Sequence, residues 1–361
     1  MKVLILGFGK IAYMPYMHFY LEQLRNNNCE IHLLYWDRDG KPDASVSSNI
    51  KSYKYEKYQE DDASMINKAI NFYGYRKMAK KILNSEKFDF IVVLHSLPGF
   101  ILNDILTKEY KGKYILDYRD YTYEHIAMFR NIIAKIVNES NATFVSSDAF
   151  RENLPLCEKI YTSHNLDKSL LENRFVRKND NRNIPVIRIR FWGFIRYEQL
   201  NKTIIDNFAN DSRFELHYHG REQTTARILK RYCVEKDIKN VFFHGEYKPE
   251  ERYRFAAETD FVHNMYENDK RTIGAMGNKY YDSVAMYIPQ ICTKGSFMGK
   301  QVSEYEIGLE CDPYNEAIAD KIYQYYRSIE WDRYETNCDS ALYEIVSQID
   351  KSQIVINNIL N

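Results

Sequence analysis

Lys279 and Asp282 stand three residues apart, about one helical turn, directly after a stretch holding two glycines, Gly274 and Gly277. A glycine-containing loop that feeds a helix start leaves unpaired amides and the positive end of the helix dipole pointing at one place, which suits an anion. Lys279 adds a full positive charge, and Asp282 can accept hydrogen bonds from sugar hydroxyls, so a phosphate joined to a ribose fits the layout. Asn278 is expected to cap the helix by accepting from its first amides. Tyr281, Val284 and Ala285 recur at helical spacing, and Pro289 ends the run at a buried strand over 288–292. An ordinary loop and helix of an α/β domain accounts for the same residues equally well.

A second concentration of chemistry follows the strand expected over 114–117. Asp117, Arg119, Asp120, Glu124 and His125, interleaved with Tyr118, Tyr121 and Tyr123, fall within nine residues. So many ionisable groups after a strand are costly unless they line a site. The competing reading is structural: an acid–arginine pair that braces the loop.

A third candidate opens the chain. Strand 2–6 runs into Gly7-Phe8-Gly9-Lys10-Ile11-Ala12, and Asp37 follows the second strand. This matches the G-x-G-x-x-A fingerprint and ribose acid of nicotinamide or flavin sites. Tyr13, Met14 and Pro15 crowd the turn where a pyrophosphate would approach. Asp37 and Asp39 also form an Asp-x-Asp of the kind that can hold a divalent metal, but before Gly40-Lys41-Pro42 an exposed turn is expected and no metal.

The elements that must position these groups alternate as strand and helix in two blocks, which implies two parallel-sheet domains. Strands are expected at 30–35, 89–95, 142–145 and 159–162. Leu166 to Pro185 reads as a linker. The second block has strands at 186–192, 214–219, 240–243, 260–263 and 308–311, with helices between them. The domains are therefore 1–165, 186–340 and a helical tail, 341–361, that can cross back to the first. At 361 residues two cores are the better expectation. Fifty basic against fifty acidic residues give no nucleic-acid signature. Six scattered cysteines without a C-x-x-C pair read as reduced thiols. No apolar run approaches the ~20 residues of a membrane span, so a cytoplasmic protein is expected. The helix over 63–83 carries a basic, aromatic stretch from Tyr73 to Lys81. That face can meet anionic lipid at the inner side of the cell membrane, or simply be solvated.

The order of these motifs resembles the GT-B glycosyltransferases, closest to glycosyltransferase family 4 and bacterial capsular or exopolysaccharide enzymes. The likeness rests on Gly193 with Arg196, on Gly220 after His217-Tyr218-His219, and on Asn240 to Gly245. It rests further on Asn278-Lys279-Tyr280-Tyr281-Asp282 to Pro289, and on Ser163-His164-Asn165-Leu166-Asp167 at the linker. The resemblance implies two facing Rossmann-like domains with a cleft between them. Its donor site would comprise Gly193, Arg196, Gly220, Gly277, Asn278, Lys279 and Asp282. Asp282 would hold the ribose, while Arg196 and Lys279 neutralise the diphosphate without a metal. Gly9, Asp117 and Tyr123 would line the acceptor side, and Asp120, His125 and Arg119 would serve catalysis. The family commonly has a glutamate eight positions before the ribose acid; here Gly274 stands there.

The implied activity is a retaining transfer from a UDP- or GDP-sugar, with no other cofactor, to a glycan or lipid-linked oligosaccharide in surface polysaccharide synthesis. Two other readings stay open: an NAD(P)-dependent oxidoreductase on Gly7, Gly9 and Ala12, and a catalytically silent GT-B partner protein. No P-loop, G-x-S-x-G elbow or H-E-x-x-H motif occurs.

Overall fold

The computed structural model describes residues 1–60, 63–166, 168–172, 184–248 and 251–361. The chain divides into two compact units, Met1–His164 with Ser347–Asn361, and Asn165–Val346.

Unit 1 runs β1 (Lys2–Leu6), α1 (Met17–Asn26), β2 (Glu30–Asp37), β3 (Lys51–Glu56), α2 (Met65–Ser85), β4 (Phe90–Leu94) and α3 (Ser96–Ile101). It continues with α4 (Asn103–Lys108), β5 (Tyr114–Tyr118), α5 (Ala127–Glu139), β6 (Ala142–Val145) and β7 (Ile160–Thr162). Its seven strands lie in the order β3-β2-β1-β4-β5-β6-β7, all parallel, with Val3 beside Ile31 on one flank and Phe90 on the other. The central strands β1, β4 and β5 are apolar apart from Lys2 and Asp117 and are buried on both faces, as parallel sheets require.

Unit 2 runs α6 (Ser169–Glu172), β8 (Ile187–Trp192), α7 (Glu198–Phe208), β9 (Phe214–His219), α8 (Thr224–Glu235), β10 (Val241–Gly245) and α9 (Arg252–Ala256). Then come β11 (Phe261–Asn264), α10 (Asn278–Ala285), β12 (Gln290–Thr293), α11 (Phe297–Glu304), β13 (Gly308–Cys311), α12 (Ile318–Ser328) and α13 (Trp331–Leu360). The six-stranded sheet has the order β10-β9-β8-β11-β12-β13, again parallel. Ile189, Phe191, Leu216 and Tyr218 form its core with Ile204, Leu229 and Ile322 of the helices. The end of α13 belongs to unit 1, where Ile356 and Leu360 join the core of Val3, Ile5 and Phe144 and Ser352 donates to the Thr162 carbonyl at 2.7 Å.

Local structure departs from the sequence reading in three places. Ser96-Leu97-Pro98-Gly99, whose proline and glycine read as a turn, forms the start of α3, where Pro98 sits among amides that need no intrahelical partner. Gly277, not Asn278, is the N-cap of α10, and Asn278 is its first helical residue. Strand β3 was not anticipated, because as a sheet edge it carries Lys51, Lys54 and Glu56 and buries little beyond Tyr55. Asp167 and most of the expected linker lie outside the described residues.

Candidate functional site

In a doubly wound sheet, ligands gather beyond the carboxyl ends of the strands where the strand order reverses. In unit 2 that point lies between β8 and β11. Strand β8 leads into Gly193 at φ 136°, and a Cβ on the neighbouring Gly220 would stand 2.1 Å from the Gly193 carbonyl oxygen. Two bare backbones therefore close the ends of β8 and β9, and any side chain at position 220 would force them apart. Across from them, α10 sends Lys279 into the same place. Its ammonium lies 4.2 Å from the centre of the Phe191 ring and 4.8 Å from that of Tyr266, donates to the Tyr266 hydroxyl, and is buried. Among the described residues no carboxylate lies within ion-pair distance of it. A buried cation left uncompensated is costly, so this position suits an anion.

Asp282, one turn further along α10, is also buried, and its carboxylate accepts the Trp192 indole N–H at 3.0 Å. Arg196 is exposed, with its guanidinium 5.0 Å from the Phe194 ring, and its carbonyl accepts from Asn201 at 2.6 Å. The structure thus gathers Gly193, Gly220 and Lys279, sets Gly277 and Asn278 at the start of α10, and leaves Arg196 on the surface. Beneath Lys279, burial lowers the His263 imidazole to about 3, helped by the charge above it. His263 is neutral at ordinary pH.

In unit 1 the reversal lies between β1 and β4. Gly9 follows β1 with nothing within 4 Å of where its Cβ would be. His95 follows β4 as the N-cap of α3, with φ 84° and ψ 153°, a conformation otherwise nearly confined to glycine and held only where surroundings impose it. Its Nδ1 accepts from the Leu97 amide at 3.2 Å, which leaves the proton on Nε2, 3.8 Å from Asp120 Oδ2. Burial lowers the His95 imidazole, with Asp120 opposing and Arg38 assisting. Asp120 has 64% of its side chain exposed. His95 was missed in the sequence, since nothing in His-Ser-Leu-Pro announces a left-handed backbone.

The other unit 1 candidates separate into two kinds. His125 is exposed beside Tyr121 and Tyr123, while Tyr123 packs edge-on against Phe129 of α5. Asp117, expected on the acceptor side, and Arg119, expected to orient Asp120 and His125, are buried against each other. Arg119 Nε lies 2.8 Å from Asp117 Oδ1, and the guanidinium donates to the Ser163 carbonyl at 2.9 Å over the Tyr16 ring. Burial pushes the Asp117 carboxyl up, against the pull of Arg119. The pair braces the ends of β5 and β7, the structural alternative stated above.

The dinucleotide fingerprint is already filled. Asp43 takes the amides of Ile11 (2.9 Å) and Ala12 (3.0 Å), where a pyrophosphate would lie. Asp37 accepts from the amide of Gly40 (3.0 Å), and Lys10 is 4.0 Å from Asp37 and 2.6 Å from Asp39. An ammonium therefore stands where a metal between the two acids would be.

No family model and no curated protein matches the sequence. Solved structures do match along the whole chain. Sucrose-phosphate synthase from Thermosynechococcus elongatus is 12% identical, over 100% of this chain and 95% of that one, at a TM-score of 0.69. HepE from Anabaena, solved in complex with UDP and glucose, is 12% identical over 97% and 98%, at 0.68. An α,α-trehalose 6-phosphate synthase from Burkholderia multivorans is 11% identical over 99% and 97%, at 0.64. With two parallel sheets of seven and six strands in these orders, the chain has the GT-B glycosyltransferase fold.

Proposed function

We propose that the protein is a nucleotide-sugar glycosyltransferase whose unit 2 holds the donor. The observation that carries this is Lys279: a buried ammonium without a carboxylate partner among the described residues, at the strand-order reversal and in the first turn of a helix. A diphosphate supplies the missing charge, and the first amides of α10 add donors to it. As the bond to the sugar breaks, the same groups stabilise the negative charge gathering on the leaving phosphate. Asp282, its rotamer fixed by Trp192, meets the ribose hydroxyls, and Arg196 reaches the phosphates from the surface. That HepE was solved with UDP and with UDP-glucose supports a uridine donor.

Unit 1 presents the acceptor with His95, Asp120 and the open face of Gly9, and His125 lies nearby in sequence on the same loop as Asp120. The proposed transfer is retaining and uses no metal at Asp37 and Asp39, since Lys10 occupies that place. The acceptor is a glycan or lipid-linked oligosaccharide of a bacterial surface polysaccharide. Titration calorimetry with UDP, GDP, CMP, NAD and NADP tests the donor assignment. Binding of a nucleoside diphosphate is expected; binding of NAD or NADP alone overturns it. Diphosphate binding without donor hydrolysis or transfer across a broad acceptor panel would leave a silent binding protein.

A further inference from the structure

Helix α2 has two opposed faces. Phe72, Tyr75, Ala79 and Ile82 turn inward: the Tyr75 hydroxyl donates to the Gly7 carbonyl at 3.0 Å, and Phe72 and Tyr75 pack on Phe8. Gly74 lets the helix close on Tyr55, whose hydroxyl would lie 2.1 Å from any Cβ there. The outward face reads Ile66, Ile70, Tyr73, Lys77, Lys80 and Lys81, a continuous row at spacings of three and four. Its first half is apolar and in water, with Ile66 73%, Ile70 62% and Tyr73 70% exposed, and Met65 beside them at 64%. Its second half carries three exposed lysines. The helix contains five basic residues, Lys68, Arg76, Lys77, Lys80 and Lys81, and no acid. Arg76 is half-buried and pairs with Asp104 at 2.7 Å.

We propose that this face docks on an anionic lipid bilayer, with Met65, Ile66, Ile70 and Tyr73 entering the headgroup–acyl boundary and Lys77, Lys80 and Lys81 lying on the phosphates. Large aliphatic side chains left in water at one end and exposed ammonium groups at the other fit a surface that is apolar beneath and negative above. A protein partner would need an apolar pocket and an acidic patch in line over about 22 Å, the rise from Ile66 to Lys81. A membrane offers both everywhere. Tyr58, 69% exposed, borders the same end. No helix among the described residues is long and apolar enough to cross a membrane, so the contact is peripheral. The inference stands whether or not the transferase reading does.

Flotation of the full chain with vesicles tests it. Binding is expected to phosphatidylcholine vesicles containing about one-third phosphatidylglycerol, not to phosphatidylcholine alone, and is expected to weaken as salt rises. The K77E/K80E/K81E variant should lose at least about tenfold in affinity. I66S/I70S should lose a similar factor while remaining salt-sensitive. All five side chains are exposed, so circular dichroism and melting temperature should not move. Equal binding by wild type and both variants, or no binding to either vesicle, overturns the proposal. So does a dimer in solution that Ile70→Asp converts to monomer, which would make a second copy the occupant.

Discussion

The ammonium of Lys279 sits 4.2 Å from the centre of the Phe191 ring, and no described carboxylate lies within ion-pair distance of it. An aromatic face stabilises a desolvated cation by up to about 2 kcal/mol, short of what a counter-ion supplies. Lys279→Met keeps the volume and removes the charge. The ligand-free protein should melt at the same or a higher temperature, while UDP or GDP affinity falls at least about tenfold. Calorimetry beside thermal shift separates the two effects. A variant that binds nucleotide normally would remove the donor site from α10.

Gly220 and Gly9 should respond oppositely to the same added methyl. At 220 a Cβ meets backbone 2.1 Å away, and at 9 it meets nothing within 4 Å. Gly220→Ala is expected to cost about 2 kcal/mol or more in denaturant unfolding. Gly9→Ala should leave stability unchanged within about 0.5 kcal/mol and lower transfer by narrowing the space over the strand end.

His95 stores strain that glycine would not. His95→Gly should be more stable than His95→Ala by about 1–3 kcal/mol, since both lose the imidazole that accepts from the Leu97 amide and only alanine keeps the positive-φ penalty. Both should lose transfer while retaining nucleotide binding. Loss of nucleotide binding in the glycine variant would move His95 out of the acceptor assignment.

Acid should destabilise the fold through unit 2. Burial lowers the imidazoles of His217, His219 and His263 to about 3, with Arg190 and His244 adding to the first two. Unfolded histidine titrates near 6.5, so between about 3 and 6.5 the unfolded chain binds the extra protons. Stability is full above that window and is lost as pH falls through it. Urea midpoints measured from pH 7 to pH 4 should drop, and His217→Asn/His219→Asn should flatten the slope. A variant with the wild-type slope would exclude these two histidines.

Asp117→Ala should act on folding rather than on chemistry. It leaves Arg119 buried without its partner, at a cost of about 3–5 kcal/mol, and lost activity should track lost folded protein.

The alternation of apolar strands with periodic helices made the two sheets legible, because a buried parallel strand such as Ile91–Leu94 can be little else, and Ile187–Trp192 shows apolar residues alternating with Arg188 and Arg190. Lys279 with its glycine-fed helix was legible for the same local reason. What escaped was set by contacts far apart in the chain. Edge strand β3 is held by backbone pairing to β2 more than by apolar side chains. The Asp117–Arg119 pair reads as an active-site cluster until Ser163, 44 residues on, is seen to claim the guanidinium. The fingerprint at Gly7 looked open because Asp43 lies 31 residues beyond Ala12.

That carboxylate on the amides of Ile11 and Ala12 acts as a permanent tenant. On the donor assignment proposed above, a nucleotide offered to the whole protein should meet a first doubly wound sheet already quenched by the chain's own anion, and only the second should receive it. Saturation should therefore stop at a single equivalent per chain, although two sheets of the same winding are present.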